Sequence, residues 1–308
     1  MIALVYFISL IIILFQPPVV MAAIDARTDI VEFTSSTDEL NAFWARNAQV
    51  TREDGSHFCL SGTFQPTKNS RITMARSTNA TLGERLYYRI EPSDGGASLT
   101  VVEADGNEQR YKGIMALTFS PADTACPSDT RLRLPLMGPV RLGQPYVSRR
   151  YEDDSGALTL LSGRITLYAK AIDTFAFFRF SKTDNGFYQA GTVDLPAGAE
   201  LTAARDADAN ARWAGFADID ITNTSEPGFD VRLTTDARRL ALTTAAGGFG
   251  SENTGGSPAD NQDVVSLSNV TRLVSDPNIG RVNVAAAIFL VLVQVTGQLI
   301  SLYPRKPQ

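Results

Sequence analysis

The sequence predicts a mainly β protein: an antiparallel, sandwich-like ectodomain of one large or two small domains, with a short N-terminal helix and a C-terminal transmembrane helix. Three observations carry this expectation. Residues 24–276 break into short segments of alternating polarity separated by Gly, Asn, Asp and Pro turn dipeptides. Both ends of the chain are apolar runs. The 308 residues are 44% hydrophobic and 20% charged, enough to bury a sizeable core. No segment recurs at a fixed period, so neither a solenoid nor a propeller is indicated.

At the N-terminus, Ile2 to Phe15 is interrupted only by Ser9, the length of a signal-peptide apolar region and short of the roughly 20 residues that span a bilayer. Gln16-Pro17-Pro18 breaks the run, and the small residues of Val20-Met21-Ala22-Ala23 suit signal peptidase. The reading is a signal peptide over 1–22, cleaved after Ala22 or Ala23; an uncleaved anchor is the alternative, since no Lys or Arg precedes the run. Ser36 and Glu39 then form a capping box, and Leu40, Phe43 and Trp44 repeat at helical spacing to about Asn47, predicting the one helix of the ectodomain.

Beyond this the period shortens to two. Leu86–Ile90, Ser98–Glu103 and Gln109–Phe119, separated by Ser93-Asp94-Gly95-Gly96 and Asp105-Gly106-Asn107, predict a three-stranded meander. Pro135, Gly138, Pro139, Gly143 and Pro145 crowd residues 133–147 and mark a domain boundary or crossover, dividing a first β domain (23–135) from a second (136–275). In the second half, strands are expected at Ala157–Leu161, Arg164–Ala171 (with Gly163 turning between them), Phe175–Phe180, Phe187–Leu195, Ala214–Thr222, Phe229–Thr234, Arg239–Thr244 and Val264–Leu273. Asn185-Gly186 makes a hairpin of the two aromatic runs, and Ala245–Asp263, with five glycines, reads as a loop.

Val282 to Tyr303 contains no Asp, Glu, Lys or Arg, and its 22 residues cover about 33 Å as a helix. Ser275-Asp276-Pro277 offers a cap and an N-terminal proline, Pro304 ends the run, and Arg305-Lys306 supply the cations of an inner tail. These features predict a spanning helix over 276–303 and a cytoplasmic tail over 304–308; a buried strand pair or core helix is the alternative. Within it Asn283, Ala287, Leu290, Gln294, Gly297 and Ser301 alternate at spacings of four and three, a stripe of small and amide side chains suited to another helix or a second copy.

Composition excludes much chemistry. A net charge of -5 lacks the positive field of a nucleic-acid binder. One histidine and two cysteines are too few for most zinc, haem or iron–sulfur sites. Cys59 and Cys126 are expected to form a structural disulfide, because an ectodomain is oxidised and their spacing is not that of a redox motif. His57 stands beside Cys59 without a G-x-S-x-G serine to activate. No cofactor is expected. Calcium is the one candidate ion, over Asp206, Asp208 and Asn210 with Asp218 and Asp220 on a shared strand face, although Ala211 and Ala217 stand where a calcium loop needs glycine and glutamate.

The expected protein is therefore a single-pass component of the cell (inner) membrane with its bulk in the periplasm or extracellular space. Its expected role is an accessory or scaffold subunit of an envelope complex, associating through its C-terminal helix. A displayed ligand-binding or adhesive module, with 245–263 as its recognition loop, is the second reading. A hydrolase drawing carboxylates from Glu152, Asp153, Asp154, Asp218 or Asp220 is the third.

Overall fold

Alternation of buried and exposed side chains, period two, governs nearly every element of the computed structural model. It describes residues 20–79, 83–93, 95–143, 160–170, 186–203, 211–223, 228–237, 239–244, 262–266, 275–277, 280, 284, 287–288, 291–296 and 298. The strands are β1 (Val20–Thr28), β2 (Ile30–Thr34), β3 (Phe43–Arg52), β4 (His57–Pro66), β5 (Arg71–Asn79), β6 (Gly83–Glu91), β7 (Ala97–Glu103), β8 (Glu108–Lys112) and β9 (Met115–Phe119). They continue with β10 (Arg131–Met137), β11 (Val140–Leu142), β12 (Leu160–Lys170), β13 (Phe187–Leu195), β14 (Ala199–Ala203), β15 (Trp213–Asp220), β16 (Phe229–Thr235), β17 (Arg239–Thr244) and β18 (Gln262–Ser266).

Two antiparallel sheets result. The smaller runs β10-β15-β16-β1-β12-β13 and the larger β18-β17-β14-β11-β2-β5-β6-β9-β3-β4-β7-β8. Both draw strands from either side of residue 135. The chain divides into a unit of residues 21–166 and 192–266, and a second of 1–20, 167–191 and 267–308. In the first unit the chain passes between sheets several times, and two of these passages are short: at Asp29, from β1 to β2, and at Gly138-Pro139, from β10 to β11.

The second passage is the proline-rich stretch. Pro135 lies in β10, an edge strand, where its missing N–H leaves no ladder bond unmade. Gly138 has φ +140°, and a Cβ there would stand 1.8 Å from the Thr34 carbonyl oxygen, so only glycine admits this close approach.

Inner faces carry the core. Phe43 centres an aromatic cluster, stacked on Phe64 at 5.6 Å and tilted against Tyr88 at 5.1 Å, with Phe119 edge-on at 6.3 Å. Those four side chains come from β3, β4, β6 and β9, which lie close together in the larger sheet. In the smaller sheet Leu132, Leu134 and Leu136 of β10 alternate inward alongside Ala217 and Ile219 of β15 and Val231 and Leu233 of β16.

Four local expectations are corrected. The helix over Ser36–Asn47 is absent: one turn closes at Ala42 N to Glu39 O, 3.1 Å, and Phe43–Arg52 is strand. The would-be cap is diverted, since Ser36 Oγ donates to Met137 O at 2.9 Å, while Phe43 buried beside exposed Trp44 follows period two. The meander is not sequential, because β6 pairs with β5 and β9, and β7 with β4 and β8. Gln109–Phe119 is two strands broken at Gly113, φ +75°. Gly163 is no turn but lies inside β12, where an added Cβ would meet Ala26 Cβ of β1 at 3.0 Å. The Phe175–Phe180 run lies outside the described residues.

Candidate functional site

Four arrangements bring chemically capable side chains together. The first is buried. On β5, Ile72, Met74 and Arg76 share the inward face, so strand alternation carries a guanidinium into the interior, its side chain 3% exposed. Arg76 Nε donates to Glu84 Oε2 of β6 at 2.7 Å, and Nη2 donates to the Asn223 carbonyl at 2.8 Å. The Arg76 backbone N–H donates to the Asp29 carbonyl at 3.0 Å. Burial pushes the Asp29 carboxyl above its ordinary value, the Arg76 charge opposes the rise, and the Glu84 charge adds to it. Two carboxylates flank one cation, but no substrate reaches so closed a group. This constellation fastens β5, β6, the β1–β2 passage and the turn after β15.

The second is a ladder on the outer face of the smaller sheet. Arg131 pairs with Asp220 at 2.8 Å, Arg133 with Asp218 at 2.8 Å through Nε and 3.1 Å through Nη2, and Arg27 with Asp230 at 3.0 and 3.1 Å. Asp218 and Asp230 oppose each other in register, and their repulsion is offset by the arginines on either side. Arg133 also lies over the Phe216 ring, 4.1 Å from its centroid. Hydrogen bonds from Thr222 and Arg131 hold the Asp220 carboxyl below its usual range.

Asp218 and Asp220 share one strand face, and each carboxylate is engaged by an arginine. Asp206, Asp208 and Asn210 lie outside the described residues, as do Glu152, Asp153, Asp154 and residues 245–261 of the expected loop. Among the described residues, no group of three or more His, Cys, Asp or Glu side chains is placed to hold a metal ion.

The third is covalent. Cys59 of β4 and Cys126 form the expected disulfide, with Cα atoms 5.7 Å apart. A bulge in β3 between Ala45 and Ala48 places Asn47 at φ +48°, where its backbone N–H donates to Ser61 Oγ at 2.8 Å and Nδ2 donates to Pro127 O at 3.2 Å. The segment joining β9 to β10 is thereby held by a bridge and a side-chain amide. His57 begins β4, exposed.

The fourth is at the C-terminus. Positions 275, 277, 280, 284, 287, 288, 291–296 and 298 are helical. Among the described residues, no helix is long and apolar enough to cross a membrane. Val284, Ile288, Val291, Leu292, Val293 and Val295 are 48–60% exposed. Positions 291–296 are six consecutive residues, more than one and a half turns, so exposed Val and Leu face outward all around the helix. The Thr296 hydroxyl donates back to the Leu292 carbonyl, which satisfies it within the helix. Of the expected stripe, Ala287 and Gln294 are helical and exposed; Asn283, Leu290, Gly297 and Ser301 lie outside the described residues.

Sequence reasoning missed the Arg76 constellation and the arginine partners of the ladder. The parity of Ile72, Met74 and Arg76 was the available signal for the first; nothing local in sequence reveals the second, because Arg131 and Asp220 meet across 89 positions. Compared with protein-family models, curated proteins and solved structures, the chain matches none.

Proposed function

We propose that this protein is a scaffold or accessory subunit of an envelope complex, held at a membrane by its C-terminal helix with its disulfide-closed sheets outside the cytoplasm. The observation that carries the reading is the helix that exposes Val and Leu on every side at 291–296. A helix apolar all round belongs in a protein core or in lipid. It falls inside a 22-residue stretch without a charge, long enough to span about 30 Å of hydrocarbon. The Thr296 back-bond suits an environment with no water to accept its proton, and the Cys59–Cys126 bridge belongs to an oxidising compartment.

The described charges support a binding role. The buried cluster is closed to substrates and the ladder is neutralised pair by pair, so the sheets offer rigidity. Attachment to partners then falls to the helix, where Gln294 cannot be satisfied by lipid and needs another helix, the partner's or a second copy's. The experiment is cross-linking in native membranes, mild-detergent extraction and pull-down of the wild type and of Gln294→Leu. The wild type should recover a partner or a second copy at constant stoichiometry, and Gln294→Leu should lose at least half of it. A wild type that runs alone after cross-linking contradicts the proposal.

A further inference from the structure

The small-residue sequence Val20-Met21-Ala22-Ala23 is the start of β1 itself. Val20 is 4% and Ala22 0% exposed, and Ala22 and Ala23 pair with Thr235 and Thr234 of β16. On its other side β1 is flanked by β12, so neither edge of the strand is free. A peptidase binds its substrate extended, with the backbone open to pairing. In the folded chain that backbone is already paired.

We propose that seating of β1 in the smaller sheet closes the processing site at Ala22–Ala23, so that removal of the N-terminal leader is confined to the interval before β16 is available. This rests on the reading of residues 1–22 as an export leader, and not on the C-terminal anchor. The interval is set by topology. Arg27 of β1 and its partner Asp230 are 203 positions apart, and at about 5–20 residues per second the intervening chain emerges in roughly 10–40 s. β12, the other flank, emerges earlier but covers one edge only. A chain that seats β1 before cleavage keeps its N-terminal apolar run and with it a second membrane attachment, so the competition between peptidase and strand pairing sets whether the protein carries one anchor or two.

The fit is close enough to make the closure sharp. Gly163 of β12 stands where a Cβ would meet Ala26 Cα of β1 at 3.1 Å and the Leu195 side chain at 2.9 Å, leaving no slack between the strands. The test uses the full-length, uncleaved chain in detergent with a purified bacterial leader peptidase, once folded with its disulfide formed and once in urea at a concentration the peptidase tolerates. Intact mass identifies the product, and hydrogen exchange at Ala22–Thr28 reports whether β1 is seated. The expected result is cleavage after Ala22 or Ala23 in the unfolded chain and at least tenfold slower cleavage in the folded one. Equal rates overturn the proposal, and so does an unfolded chain that is not cut at either bond. Carbonate extraction of chain whose intact mass shows the leader removed reads the C-terminal anchor alone, so the two readings can fail separately.

Discussion

Arg76 brings a full charge into the interior against two carboxylates, and the cost of a substitution there depends on which group is removed. Truncating the cation removes the buried ion pair to Glu84, the hydrogen bond to the Asn223 carbonyl and the charge that opposes the rise of the Asp29 carboxyl, so Arg76→Ala is expected to lower stability by about 3–5 kcal/mol in urea denaturation. Replacing the three together, Arg76→Met with Asp29→Asn and Glu84→Gln, should cost less than that single change, because no uncompensated charge remains. A loss under about 1 kcal/mol in Arg76→Ala would show that the cluster fastens nothing.

Protonation gives a second test at the same scale. Burial raises the carboxyls of Asp29 and Glu200 in the folded state, Arg141 opposing and Glu32 assisting at Glu200 as Arg76 and Glu84 do at Asp29. A group raised on folding stabilises the fold fully below its unfolded value, and that contribution is lost as pH rises through the folded one. Both therefore favour the folded state at mildly acid pH over neutral pH. Asp220 acts oppositely: its lowered carboxyl contributes above the unfolded value, a contribution lost as pH falls. Asp29→Asn with Glu200→Gln should be at least as stable as the wild type at about pH 7 and lose stability relative to it towards about pH 4. A parallel pair of pH–stability curves would contradict this.

At the scale of the element, glycines decide where strands run. Gly138→Ala puts a methyl group against the Thr34 carbonyl at a positive φ, with an expected loss on the order of 2–4 kcal/mol by thermal or urea unfolding; an unchanged midpoint would mean that the passage from β10 to β11 is not held there. Strand content was legible from alternation and turn residues, and β17 lies at Arg239–Thr244 as read. The disulfide was legible because two cysteines admit one pairing. Other features were not. Phe43 and Trp44 fit both a helical and a strand period over so short a stretch, and the choice was made by Phe64, Tyr88 and Phe119, which are distant in sequence. Gly163 reads as a turn until β1 is placed beside it. The interleaving of both halves in both sheets depends on pairings such as Asp25 with Arg232, which no local pattern encodes.

For the whole molecule, the Cys59–Cys126 bridge closes a span of 67 positions, worth about 4 kcal/mol in the chain-entropy account, and ties the β9–β10 segment to the larger sheet. On the proposed reading the attachment to a membrane is the uncharged stretch from Val282 to Tyr303, whose described apolar residues are exposed. The most direct measurement is alkaline carbonate extraction of native membranes followed by ultracentrifugation and immunoblotting, run beside a deletion of residues 282–303. The full chain is predicted to stay in the pellet and the deletion to move to the supernatant; a full chain released into the supernatant would contradict the account.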